Sequence, residues 1–229
     1  MAKGSRNYDY VIVGAGSAGC VLANRLRAGG ANVLVLEAGG RDNNWLIHGP
    51  LGVGKVWHSP DFNWSYSSDP EPNLDGREVF HPRGKVVGGS SSINMMAYVR
   101  GHRGDYDRWR QKGCPGWSSA DVLPYFRRAE SFEDPSNPYH GVDGPLSIET
   151  SKIDDPIIES FLEAAVSAGY ELTNDYNGAK QEGFARLQSN IKNGKRCSAA
   201  VAYLHPAVAT GKVQVITGAV SYTHLTLPT

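Results

Sequence analysis

The sequence predicts an α/β fold: a parallel sheet with a crossover helix, carrying irregular and helical insertions. Three adjoining stretches predict it. A short β-branched run, "YDYVIVG" from Tyr8 to Gly14, ends in glycine. "SAGCVLANRLRAGG" follows with helical spacing, and a second apolar run, "ANVLVLEAGG", comes next. Strand, glycine turn, helix and strand within about 30 residues make a βαβ unit, whose strands are parallel and whose crossover is right-handed.

Each element has its own signal. "YDYVIVG" is a short apolar run rich in β-branched residues, which predicts a buried strand. Val21, Leu22, Arg25 and Leu26 predict one face of a helix closed by Gly29 and Gly30. The second strand ends at Glu37. From Arg41 to about Arg77 no period holds and Pro50, Pro60, Pro70 and Pro72 interrupt the chain. Trp45, Trp57 and Trp64 argue against disordered linker there, so ordered irregular chain is expected.

The later elements follow standard start and stop rules. "SSADVLPYFRRAE" (Ser118 to Glu130) opens on a capping-type serine and carries Val122, Leu123 and Phe126 on one side. "PLSIE" (Pro145 to Glu149) predicts a short strand. In "DDPIIESFLEAAVSAG", Asp155 caps, Pro156 occupies the first turn, and Ile158, Phe161, Leu162 and Ala165 line a core face ending before Gly169. "CSAAVAYLHPA" predicts a short helix stopped before Pro206, and "KVQVITG" (Lys212 to Gly218) alternates like a strand.

Composition excludes several function classes. Of 229 residues, Lys plus Arg and Asp plus Glu number 23 each, so there is no electrostatic footprint for nucleic acid or an anionic membrane. Hydrophobic content of 40% with 20% charged residues predicts a soluble globular chain with no transmembrane segment. Cys20, Cys114 and Cys197 form no C-x-x-C pair and predict thiols in a reducing, cytoplasmic compartment, with peripheral attachment at the inner membrane left open. The histidines show no metal spacing, and "GGSSS" lacks the G-x-S-x-G nucleophile elbow. The charges of "RGHRGDYDRWR" predict a solvated, partly paired face.

The chemistry lies in the glycine turn. Gly14, Gly16 and Gly19 form G-x-G-x-x-G directly after a strand and at a helix start. Gly14 permits the turn, Gly16 lets backbone approach a pyrophosphate, and Gly19 lets helix pack on strand. Glu37 lies 18 residues after Gly19, where a carboxylate can accept from both ribose hydroxyls of an adenosine. This is the fingerprint of a Rossmann-like dinucleotide site, and the pattern alone does not separate FAD from NAD. The bland alternative is a structural glycine turn.

"GKVVGGSSSINMMAYVRGHRGDYD", from Gly84 to Asp107, resembles the first signature of the glucose–methanol–choline (GMC) family of flavin oxidoreductases. "LEAGG", "NWSYSSDPEP", "GWSSADVLPYFRRAE" and "GKRCSAAVAYLHPA" are similar to bacterial choline-dehydrogenase-like members, and the likeness runs from about Tyr8 to Val220. The resemblance implies FAD. It makes Gly14, Gly16, Ser17, Ala18, Gly19, Glu37, Ala38, Val86, Gly89, Ser90, Asn94, Met95, Met96, Ala97 and Val220 the candidate cofactor residues. Gly88, Gly89 and Ser90 let backbone approach the flavin edge. Asn94 is a candidate to bond the ring or the ribityl chain, Met95, Met96 and Ala97 an apolar wall, and Val220 a neighbour of the adenine. Some relatives attach FAD through a histidine just before the asparagine. Ile93 holds that position, so non-covalent FAD is expected.

Family members are much longer. The resemblance therefore implies that residues 1–220 are the N-terminal part of an FAD-binding domain with the start of substrate-domain insertions. The domain is then incomplete, and the family's general base lies elsewhere. The tail 221–229, "SYTHLTLPT", departs from the family and is expected to be non-native. The implied activity is oxidation of a small-molecule alcohol to an aldehyde or ketone, with the electron acceptor unspecified. Two alternatives stand beside it: a lyase of the hydroxynitrile type, and an inactive nucleotide-binding module.

Overall fold

The computed structural model describes residues 7–220, so the tail predicted as non-native lies outside the described residues. Along the chain come β1 (Tyr10–Val13), α1 (Ser17–Ala28), β2 (Val33–Glu37), α2 (Trp45–His48), α3 (Val53–Trp57), β3 (Tyr66–Ser67) and β4 (Phe80–His81). Then follow α4 (Arg103–Gln111), α5 (Ser119–Ala129), β5 (Glu130–Phe132), β6 (Leu146–Thr150), α6 (Pro156–Ser167) and β7 (Gln188–Ser189). The chain ends through β8 (Ile191–Lys192), β9 (Lys195–Arg196), α7 (His205–Val208) and β10 (Val213–Thr217). The described residues form two units, one from 7–96 with 193–220 and one from 97–192.

The first unit carries the parallel sheet, in strand order β1-β2-β10. Tyr10 and Val213 both register on Val33, so the three strands start level, and β2 and β10 run one residue further than β1. β2 is central and buries Val33, Val35 and Glu37. β1 departs from the expected burial: Tyr10, Val11 and Val13 are at least half exposed. Parallel strands of this composition are ordinarily covered on both faces, and among the described residues β1 is not.

α1 forms as predicted, but its buried face is Gly19, Cys20 and Ala23, with Leu22 turned out. The helix lies against the segment 200–204, where Asn24 Nδ2 donates to the Tyr203 carbonyl at 2.9 Å. So close an approach admits only small side chains.

Two other expectations change. The stretch after Arg41 is not merely irregular: it winds into α2, a 3-10 turn at Pro50–Gly52, and α3. Ile47 and Val56 from these turns meet Val86 and Ile93 in a buried cluster, with Trp57 and Phe62 packed against it. The predicted short helix does not stop before Pro206. Residues Ala200–Leu204 form a π-helical turn that runs into α7, with Pro206 in α7's first turn.

In the second unit, β5 pairs parallel with β6, and β6 antiparallel with β7. α5 starts in a reciprocal capping box between Ser118 and Asp121, and α6 is capped by Asp155. Phe161 is 60% exposed, not core, while Ala165 carries the buried face. α4 has no buried residue, as a solvated face requires, and Asp105 pairs with Arg108 on it. The unit's interior is polar. Arg100 meets Glu130 at 2.5 Å, His140 Nδ1 meets the same carboxylate at 2.8 Å, and His140 Nε2 meets Asp175 at 3.1 Å. Phe132 stacks on the His140 ring at 3.9 Å between centroids. No helix among the described residues is long and apolar enough to cross a membrane.

Candidate functional site

The glycine turn sits at the carboxyl end of β1, where an open parallel sheet places its ligands. Gly14 has φ +94°, a conformation that favours glycine. A Cβ on Gly14 or Gly16 would meet nothing within 4 Å, so the space above the turn is open. A Cβ on Gly19 would overlap the Gly14 carbonyl oxygen, so α1 packs directly onto the turn. Gly16 caps α1 without a side-chain hydrogen bond, and the helix has no acidic residue in its first turn. Ser17 and Ala18 are exposed. The first amides of α1 are thus left for an external anion. This cradle fits a diphosphate.

Glu37 ends β2 and is 6% exposed. Its carboxylate accepts from the Ala15 amide at 2.7 Å and from the Gly39 amide at 2.8 Å. Each oxygen keeps a second lone pair for a ribose hydroxyl. The Glu37 carbonyl accepts from the Ala219 amide at 2.9 Å, and Gly218 N donates to the Gly39 carbonyl at 3.1 Å. Ala38 and Val220, both half-buried, thereby lie on segments joined at the carboxyl ends of β2 and β10.

The serine-rich loop comes to the same place. Gly40 and Val86 form an isolated parallel bridge, and Val87 N donates to the Gly40 carbonyl at 2.9 Å. Gly88 N donates to the Ala15 carbonyl at 2.7 Å, and a Cβ on Gly89 would stand 2.8 Å from Gly16 Cα. Gly88 and Gly89 have φ +91° and +55°. The serines divide their roles. Ser91 and Ser92 donate to the carbonyls of Gly88 (2.6 Å) and Val87 (2.8 Å), so they hold the loop's own turn. Ser90 is exposed, and its hydroxyl accepts from Gly84 N at 3.1 Å.

Beyond the turn, Asn94 and Met95 are exposed, whereas Met96 is buried and adopts φ +63°. Met95 is therefore the methionine available to a ligand. Ala97 opens the second unit, where it bridges Ser189. Ile93 is 2% exposed within the apolar cluster, and its carbonyl accepts from Trp57 Nε1 at 2.5 Å. Among the described residues no cluster of His, Cys, Asp or Glu fits a metal ion. A cavity of about 850 Å³ along β10, lined by Asp42, His205 and Val215, contains none of the candidate residues.

The reading from sequence missed Arg196. This arginine is 1% exposed. Its Nε donates to the Ile47 carbonyl at 2.7 Å, and Nη1 donates to the Asn94 carbonyl at 2.6 Å and to Asn94 Oδ1 at 2.7 Å. Burial lowers its pKa to about 10, which still leaves it charged at neutral pH. Nothing in "GKRC" signals a buried arginine, since its partners lie about a hundred or more positions earlier in the chain.

A family profile described as GMC oxidoreductase matches residues 8–224. The oxygen-dependent choline dehydrogenase of Sinorhizobium fredii is 48% identical over 209 residues, covering 91% of this chain and 38% of that protein. The Brucella suis protein of the same description is 47% identical over 211 residues, again spanning 38% of its length. The chain thus spans well under half of these curated relatives. Among solved structures, pyridoxine 4-oxidase from "Mesorbium loti" superposes with a TM-score of 0.86 at 31% identity, over 93% of this chain and 42% of that one. Aspergillus oryzae formate oxidase, in a structure concerned with FAD modification, gives 0.82 at 27% identity, over 92% and 38%.

Proposed function

The chain belongs to the GMC oxidoreductase family, whose N-terminal domain binds FAD, and on that premise we propose that it supplies the FAD site of an alcohol oxidoreductase. One observation carries this reading: the glycine turn, Glu37 and the Gly88–Gly89 turn converge at the carboxyl ends of adjacent parallel strands. FAD, when bound, supplies the hydride-accepting ring.

This chain's own residues bind and orient. The amides of Ser17 and Ala18 at the open start of α1 face the diphosphate. Glu37 takes the adenosine ribose through its remaining lone pairs. Gly89 and Ser90 bring backbone to the flavin edge, and Asn94 meets the ring or ribityl chain. Val220 flanks the adenine. Ile93 faces the core and offers no nucleophile, which supports non-covalent FAD. The substrate class is a small alcohol, in keeping with the choline dehydrogenases that the chain matches. No residue here is assigned as the general base.

The test is anaerobic mixing of the full-length holoprotein with choline and with simple primary alcohols. The expected result is loss of the oxidised flavin absorbance and formation of aldehyde. Flavin that stays oxidised while a cyanohydrin is cleaved points to the lyase, and flavin inert to both points to a nucleotide-binding module. Either outcome overturns the proposal.

A further inference from the structure

Among the described residues, Arg196 is a buried cation with no carboxylate among its hydrogen-bond partners. Among the described residues its acceptors are carbonyl-type oxygens: Ile47 O, Asn94 O, Asn94 Oδ1 and, at 3.3 Å, Ser91 O. Its Nη2 is buried without a hydrogen-bond partner. Burying a charge without a counter-ion is costly, so fold stability alone gives a poor account of an arginine here. A leucine or methionine would avoid the charge penalty, at the cost of leaving the Ile47 and Asn94 carbonyls without this donor.

The contacts have a directional consequence. An arginine can only donate, so the Asn94 side chain must turn its oxygen inward. Asn94 Oδ1 also accepts from Met96 N at 3.1 Å, which closes a short turn and places Met96 at φ +63°. With its oxygen held by two donors, the exposed Asn94 side chain presents its NH2 group outward. The orientation of a carboxamide is ordinarily free to flip; here the arginine removes the choice.

We propose that Arg196 is a positioning residue for the flavin: it locks Asn94 as a hydrogen-bond donor towards the cofactor and sets a buried positive charge behind that contact. The inference rests on the reading that Asn94 meets the ring or ribityl chain. A fixed cation there favours the electron-rich reduced flavin over the oxidised form, because charge interactions are strong where water is excluded. The hydrogen bonds also act on affinity, since a donor held in place needs no ordering when the cofactor arrives.

The experiment uses the full-length holoprotein and its variants Asn94→Ala, Asn94→Asp, Arg196→Met and Arg196→Lys. Three quantities are read: FAD affinity by titration of the apoprotein, the two-electron midpoint potential against redox dyes, and folding by circular dichroism. Asn94→Ala should weaken FAD about tenfold. Asn94→Asp should weaken it further, since a carboxylate paired with Arg196 presents an acceptor in place of a donor. Arg196→Met should reduce the preference for reduced over oxidised flavin about tenfold, a fall of about 30 mV for a two-electron couple. Arg196→Lys keeps the charge but cannot span Ile47 O and Asn94 together. It should hold the potential near the parent value yet weaken FAD several-fold.

Asn94→Ala with parent affinity and potential removes Asn94 from the flavin, and the site reading fails together with the inference. An effect of Asn94→Ala beside a folded Arg196→Met of parent potential overturns the inference alone. Should Arg196→Met not fold, Arg196→Lys with parent affinity, or Asn94→Asp binding FAD at least as well as Asn94→Ala, overturns it equally.

Discussion

Gly89 lies directly against Gly16: a Cβ on Gly89 would stand 2.8 Å from Gly16 Cα. The two glycines come from motifs more than seventy positions apart, and this contact makes one surface of the diphosphate turn and the serine-rich loop. Their tolerances differ. Gly16 has extended φ and ψ and open space where a side chain would go, whereas Gly89 is left-handed and crowded by backbone.

Gly16→Ala should therefore fold with a stability change of about 1 kcal/mol or less, yet lose FAD affinity tenfold or more, because the added methyl fills the space for the phosphates. Gly89→Ala should lose about 1–2 kcal/mol to its left-handed φ alone and more to the clash. Thermal melts of the apoprotein with FAD titration separate the two. Equal loss of stability in both would contradict the distinction.

Glu37 has two duties, and substitution separates them. Glu37→Ala leaves the buried amides of Ala15 and Gly39 without acceptors, costing about 1–3 kcal/mol each. It also removes charge-assisted bonds to the ribose, so FAD should weaken about 10- to 100-fold. Glu37→Gln keeps one acceptor oxygen but turns an NH2 group towards the other amide, and should fall between. A Gln variant as stable as the parent would show that one of the two amide bonds is dispensable.

The buried pairs of the second unit predict a stability optimum in pH. Burial alone would lower the His140 pKa, but its hydrogen bonds to Asp175 and Glu130 prevail and raise it above its ordinary 6.5. That contribution is complete below about pH 6.5 and is lost as pH rises through the raised value. Burial alone would raise Glu130 and Asp175, but their hydrogen bonds, first of all with His140, hold both below the ordinary range. Their contribution is complete above about pH 4.5 and is lost as pH falls. Hydrogen exchange across residues 130–177 should show greatest protection at about pH 4.5–6.5. His140→Gln should cost about 3–5 kcal/mol and flatten the alkaline limb. An unchanged alkaline limb would acquit His140.

Because Ile93 is buried in the apolar cluster, the flavin should leave with acid. Precipitating the holoprotein with trichloroacetic acid should put the yellow colour in the supernatant. Colour retained in the pellet would mean a covalent link through some other residue.

Local pattern determined a good deal. The βαβ unit, Glu37 at the end of β2, the caps Ser118 and Asp155, and the strand at Val213–Thr217 were all legible because each rests on neighbours in sequence: periodicity, capping chemistry, glycine at a turn. The GMC signature was legible for the same reason, being one continuous stretch. What the tertiary structure decided depends on distance. The exposure of β1 depends on what covers its faces, and the choice of Cys20 and Ala23 over Leu22 as α1's buried face follows from what lies against the helix. Arg196 and Asn94 are 102 positions apart, and His140 and Asp175 are 35 apart. No local pattern marks such pairs. A buried charge is recognised only by the oxygens that the rest of the chain brings to it.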